Sequence, residues 1–192
     1  MMDIDVTRTL SFATTADFAE WLALHHARES EIWVKLYKKS SGTPSVSWSE
    51  AVIEAIAWGW IDGIKKSNDE TSWFQRFTPR RAKSGWSKIN RDHAERLVAE
   101  GRMREPGLKE VAAAKADGRW DAAYAGSAAM EFPEIFLAAL AANTAAKTTF
   151  DSLKRSQLYS MYHRLHTAKK EETRRNLMAK MIEMLSRGEV FR

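Results

Sequence analysis

The sequence predicts an α+β protein, a small antiparallel sheet packed with helices, followed by an all-helical C-terminal unit. Strand-type alternation over Ile32–Tyr37, with two further runs after Trp58 that read as a strand pair joined by a turn, points to the sheet. All eight tryptophans lie between Trp21 and Trp120, and none in the following 72 residues. That change coincides with an alanine-rich, aromatic-poor stretch from about Ala122 to Ala146. The expected division is an aromatic-rich α+β domain over 1–121 and a helical unit over 122–192.

Ser11-Phe12-Ala13 reads as a short strand before a helix from Thr15 to His26, capped by Thr14 or Thr15, with Phe18, Trp21 and Leu22 at helical spacing. In the next run Ile32, Val34 and Leu36 alternate with Trp33, Lys35 and Tyr37, and Ser40-Ser41-Gly42-Thr43-Pro44 ends the strand. Ser47 with Glu50 three residues on is capping-box spacing. It opens a helix to Trp58 that buries Val52, Ile53, Ile56 and Ala57 and stops at Gly59. Trp60–Lys65 and Ser72–Phe77 pair as antiparallel strands through Ser67-Asn68-Asp69-Glu70. Ser87 caps a helix to Glu100 whose inner face is Ile89, His93, Leu97 and Val98, with Gly101 as its stop. Pro106 suits the first turn of a helix reaching Asp117. Helices follow over Pro133–Ala142, Lys154–Thr167 and Lys169–Ser186. Leu158, Met161, Tyr162 and Leu165 form a stripe on one of the last two, Leu177, Met181, Met184 and Leu185 on the other, as in a packed hairpin.

Hydrophobic residues at 44% and charged residues at 29% are those of an ordinary folded domain. There is no cysteine, which excludes disulfides and thiolate metal sites. Residues 1–9 are polar with two aspartates, unlike a secretory leader, and no run approaches the roughly 18 apolar residues of a membrane span. A cytoplasmic protein is expected, and nothing in the sequence calls for a cofactor. The net charge of +5 suits a nucleic acid, a phosphate ligand or an anionic membrane, and equally suits plain solubility, so clustering matters more than the total.

One cluster stands out. Between Arg76 and Arg91 there are six basic residues and no acidic one, with Thr78, Ser84, Ser87, Asn90 and Trp86 interleaved. Arg80 and Arg81 offer bidentate guanidinium contacts, Lys83 a point charge, Ser84, Ser87 and Asn90 polar hydrogens, and Trp86 a ring to stack. Together they make a candidate site for a small anionic ligand at a helix start. The competing reading has Ser87 only capping the helix, Trp86 in the core, and the arginines paired with Glu50, Glu54 or Asp62. Asp62, among tryptophans and before Gly63, is the weak candidate for an acid–base residue, against the commoner role of an aspartate in a turn. Trp58, Trp60 and Trp86 are expected to be largely buried, since three rings this close would otherwise expose a sizeable apolar patch.

His163-x-x-His166 has spacing that can hold a metal but lacks the i,i+4 pair and glutamate of a zincin, so no metal is assigned. His25-His26 offers less. Lys154, Arg155, Arg164, Lys169, Lys170, Arg174 and Arg175 form a second basic cluster. Without a recognition-helix signature or zinc finger there, a nucleic-acid contact ranks behind a solvated helical face.

Several segments together resemble the bacterial YdeI or OmpD-associated proteins, also called bacteriocin-protection proteins. They are Trp58-Gly59-Trp60-Ile61-Asp62-Gly63, Arg76-Phe77-Thr78-Pro79-Arg80, Ser84-x-Trp86-Ser87-x-x-Asn90, Gly101-x-Met103 with Gly107, Ala114-Lys115-x-x-Gly118-x-Trp120, and Ala168-Lys169-Lys170-Glu171-Glu172-Thr173-Arg174 after Phe150 and Tyr159. The resemblance runs from about Phe12 to Gly188. The family's tryptophan-isoleucine pair is replaced here by Met161-Tyr162-His163. The resemblance implies a link to envelope stress, to resistance against cationic peptides or bacteriocins, and to an outer-membrane porin. It brings no catalytic residue. Three function classes follow: a non-enzymatic binding or stress-accessory protein with an anion-binding cleft, an enzyme acting on a phosphorylated or carboxylated small molecule, and a nucleic-acid binder.

Overall fold

The computed structural model of the chain describes residues 9–191; the polar N-terminal stretch read above lies, over 1–8, outside the described residues. The chain divides into two compact units, one of Met1–Trp86 and Asn90–Ala122, the other of Ser87–Ile89 and Ala123–Arg192. The predicted α+β class is what the structure has.

In the first unit, α1 (Thr15–His25) starts with a reciprocal cap: the Thr14 hydroxyl accepts from the Asp17 N–H at 3.2 Å, and the Asp17 carboxylate accepts from the Thr14 N–H at 2.9 Å. Phe18 and Leu22 are its fully buried residues. Residues 11–13 do not form the expected strand. Only Leu10 pairs with β1 (Ile32–Tyr37), as an isolated parallel bridge to Val34, and the Phe12 carbonyl is taken by the N–H of Val46. β1 buries Trp33 as well as Ile32, Val34 and Leu36, because the Lys66 ammonium and its stem cover the indole from 5.6 Å.

Ser47 and Glu50 form the predicted capping box at the start of α2 (Trp48–Ala57). Ile53 is only half-buried, whereas Glu54 is buried. Gly59 ends the helix at φ +74°, a left-handed conformation that suits glycine, and β2 (Trp60–Ser67) follows at once. With β3 (Ser72–Pro79) it completes an antiparallel sheet of order β1-β3-β2, pairing Ile32 with Phe77 and Trp60 with Pro79. A bulge between Asp62 and Lys65 breaks the β2 register. It leaves the Gly63 carbonyl to accept from the buried Gln75 side chain at 3.0 Å.

The β2–β3 turn is knotted by Asp69, whose carboxylate accepts from the Thr71 N–H, the Thr71 hydroxyl and the Ser72 hydroxyl at 2.8–2.9 Å. The bonds from Thr71 come first among the causes that pull this carboxyl down to about 2. A folded pKa below the unfolded one contributes stability above the unfolded value of about 4. That contribution is lost as the pH falls toward about 2. Acid titration of stability should therefore be steeper for the parent than for Asp69→Asn across this window. Identical acid limbs would show that the turn bonds do not form in solution.

α3 (Lys88–Ala99) and α4 (Glu105–Ala116) complete the helices of this region. The inner face expected for α3 is corrected: Ala94 and Leu97 are fully buried, His93 half-buried, and Ile89 and Val98 are 54% and 47% exposed. The error is one of phase, since two large apolar residues attracted the reading toward a face that Ala94 actually defines. On α4, Gly107 brings the helix against the end of α2; a Cβ there would collide with the Ala57 carbonyl and sit 2.5 Å from the Met103 sulfur. Trp60, Phe77, Phe18 and Leu36 are fully buried; Phe18 packs on Phe77 at 5.5 Å and on Trp21 at 6.4 Å, and Trp21 is set edge-on to Trp60 at 5.9 Å.

The second unit holds α5 (Glu134–Ala141), α6 (Thr144–Asp151), α7 (Arg155–Thr167) and α8 (Glu171–Ser186). α6 was not anticipated, because its threonines are poor helix formers; Asn143, accepting from the Ala146 N–H at 3.0 Å, starts it. Phe136, Leu140, Met161, Leu165, Met181 and Leu185 are buried together, and Met178, omitted from the expected stripe, joins them. The Tyr162 hydroxyl accepts from the Ala125 N–H at 2.9 Å. Among the described residues no helix is long and apolar enough to cross a membrane.

Candidate functional site

The acid-free basic run folds, over residues 79–86, into a turn that leaves β3. Pro79 ends the strand, and the Arg80 N–H is received by the Gly59 carbonyl at 2.9 Å. The turn closes on itself: Ser84 N–H donates to the Arg81 carbonyl at 2.8 Å, and the Ser84 hydroxyl accepts from the Arg81 N–H at 3.0 Å. Arg80 is only 6% exposed, and its guanidinium carbon lies over the Trp86 ring, 3.6 Å from the centroid. Trp86 is buried and packs at 5.0 Å on Trp120, whose other neighbour is the Lys115 ammonium, 5.3 Å from its centroid. Cation–π contacts of this kind are strongest when desolvated, as this one is.

A residue that the sequence reading missed completes the arrangement. Arg119, just past the end of α4, holds the Asp117 carboxylate at 2.7 Å through Nε and donates from Nη1 to the Ser84 carbonyl at 2.8 Å. Arg80 Nη1 donates to the next carbonyl, that of Gly85, at 3.3 Å. Two guanidiniums thus grip consecutive peptide groups of one turn. Arg119 Nη2 and Trp86 Nε1 are buried polar hydrogens with no acceptor among the described residues, and Arg91 Nε is another. A buried donor left unmade costs about 1–3 kcal/mol, so such groups call for an acceptor. The signal for Arg119 was its position inside Gly118-x-Trp120.

The other expected site residues separate. Arg81 and Lys83 are exposed, Ser84 and Asn90 half-buried, all in the first unit, while Ser87 belongs to the second, where it bridges to Tyr124. Of the carboxylates that were candidates to neutralise the block, Glu50 serves its own cap and Glu54 pairs with Arg102 at 3.5 Å. Asp62 is the one that senses Arg80. Its burial raises the pKa, opposed by the Trp48 indole N–H donating at 3.3 Å and by the Arg80 charge. Trp60 and Trp86 are buried as expected; Trp58 is only half-buried, set against His26 at 4.7 Å with Arg104 at 5.7 Å.

In the second unit most guanidiniums of the basic cluster are already engaged. Arg155 donates to the Ser127 and Ala128 carbonyls, Arg174 to those of Leu165 and Ala168, Arg175 to Glu171, and Arg164 lies 5.1 Å from the Phe191 ring. His163 packs edge-on to Tyr124 at 4.7 Å, and burial lowers its pKa, aided by the charges of His166 and Arg164. Among the described residues no group of three or more histidine, aspartate or glutamate side chains is arranged to hold a metal ion.

Two family models match the chain. Residues 10–110 match a domain of unknown function (DUF8412), and residues 129–188 match the family described as bacteriocin-protection, YdeI or OmpD-associated. The second match is the family that the sequence motifs resemble. No curated protein and no solved structure matches the chain.

Proposed function

We propose that this chain, which belongs to the DUF8412 family through residues 10–110 and carries a C-terminal domain of the bacteriocin-protection, YdeI or OmpD-associated type, is a binding protein that captures a small anion at the turn over residues 80–86. The observation that carries the reading is the pair of buried donors without acceptors, Arg119 Nη2 and Trp86 Nε1, beside the Arg80 guanidinium. A phosphate or carboxylate supplies the acceptors these groups lack and relieves like-charge repulsion in a run without acidic residues. Exposed Arg81 and Lys83 on the same turn favour the encounter. We read this capture as an accessory function in envelope stress, carried out in the cytoplasm; the matched family's description itself names bacteriocin protection and association with OmpD. An acid–base role for Asp62 is the second reading, favoured by its raised pKa.

Thermal unfolding in phosphate and in chloride at matched ionic strength tests the proposal. A ligand selective for the folded state stabilises it by about 2.7 kcal/mol at 100 times its Kd. Phosphate should raise the parent's melting temperature saturably. Trp86→Phe keeps the ring beneath Arg80 but removes the N–H, and Arg119→Lys keeps the charge but not the fork; both should lose most of that rise. An equal rise in all three proteins would mean a general salt effect and would overturn the site.

A further inference from the structure

The C-terminal unit carries an apolar groove of about 450 Å³ between α5 and α8, floored by Phe136, Ala139 and Met178 and edged by Ile135, Ala179 and Ile182. Ile135 is 64% exposed at the edge of this groove, and Ile182 beside it is half-buried, so the groove presents apolar side chains to solvent. Arg175 and Glu183 line the groove's two ends. They stand four residues either side of Ala179, on one i±4 ridge of α8 that begins at Glu171 and is continued past the helix end by the C-cap residue Arg187. Read outward from Ala179, the ridge is positive then negative toward the N-terminus and negative then positive toward the C-terminus.

That order is self-complementary. Laid antiparallel on a second copy about a two-fold axis through Ala179, Arg175 meets the partner's Glu183 and Glu171 meets the partner's Arg187, each twice. The ridge spans the right distance, since Arg175 and Glu183 lie about 12 Å apart along the helix, and a small residue at the crossing lets two helices approach to about 8 Å. Within one chain these charges are held by exposed short-range pairs: Arg175 and Arg174 with Glu171 at 3.3 and 3.4 Å, and Arg187 with Glu183 at 2.6 Å and Glu189 at 3.1 Å. Such pairs contribute little and exchange readily for partners across an interface that also covers Ile135 and Ile182.

We propose that the α5–α8 groove is the dimerisation surface of this protein, its occupant being α8 of a second copy in antiparallel orientation. This stands independently of the anion site. Sedimentation velocity on the full chain at about 100 times the dimer Kd should find roughly nine-tenths of the chains as dimer, and dilution well below Kd should return them to the mass of one chain. Arg175→Glu and Glu183→Arg should each be monomeric, since each places like charges across the axis twice. An equimolar mixture of the two variants should recover the dimer, because every crossing is then Glu against Arg or Arg against Glu. Circular dichroism checks that both variants are folded. A parent that remains monomeric at several hundred micromolar on any such scale, or variants as dimeric as the parent, would overturn the proposal. A monomer whose Met178 and Ile182 methyl signals respond to an added fatty acid would instead make the groove a site for an apolar ligand, and would overturn it as well.

Discussion

Trp60→Ala should lower the unfolding free energy by about 3–5 kcal/mol, the cost of removing a large aromatic side chain from a packed core. Trp60 is 1% exposed, begins β2 immediately after the left-handed Gly59, and meets Trp21 edge-on at 5.9 Å. Its removal leaves a cavity that α1 and β3 close only by moving the sheet, because Phe18 and Phe77, joined to it through Trp21, are themselves fully buried and in contact at 5.5 Å. Urea denaturation of parent and variant measures the difference directly. A loss below about 1 kcal/mol would mean the ring is not part of a fixed core. Trp58→Ala serves as the internal comparison and should cost less, since that ring is only half-buried.

Gly107→Ala should be destabilising by about 1–3 kcal/mol or more, although alanine is the better helix former by about 1 kcal/mol. The added methyl would collide with the Ala57 carbonyl and lie 2.9 Å from that of Ile56, both backbone atoms that cannot swing aside. The Met103 sulfur at 2.5 Å can yield, but the end of α2 cannot, because the Arg104 N–H is bonded to the same Ala57 carbonyl at 3.0 Å. The variant tests whether α4 docks on α2 this closely. Unchanged or raised stability would contradict it, because propensity alone favours alanine.

The parts of the fold that were legible in the sequence are those with a strong local signal. The capping box at Ser47 and Glu50, the stop at Gly59 and the paired runs after it each follow from one or two residues, and each is found. What failed depended on contacts distant in the chain. Residues 11–13 have strand composition, yet the edge of β1 accepts a partner only at Leu10, and Phe12 is bonded instead to Val46. The inner face of α3 was misread because burial there follows Ala94 and Leu97, and two larger apolar residues are exposed. In the candidate site, the basic turn and Trp86 were visible as an acid-free run. Arg119 was not, since it lies 35 residues from the Ser84 carbonyl it holds and its own surroundings, beside Asp117, read as an ordinary helix end. The ridge of alternating charge on α8 was in plain view, but only the apolar groove beside it gives that order a meaning.

The indole N–H signals of the protein offer the most direct test of anion capture at this turn. The chain has eight tryptophans and therefore eight such signals, with Trp86 assigned by the one that disappears in Trp86→Phe. Titration with phosphate at constant ionic strength should move the Trp86 Nε1–H signal downfield and saturably, as a buried donor without an acceptor acquires one, while the signals of distant tryptophans such as Trp33 and Trp73 stay in place. A Trp86 signal that does not move, or eight that drift together without saturation, would contradict the account.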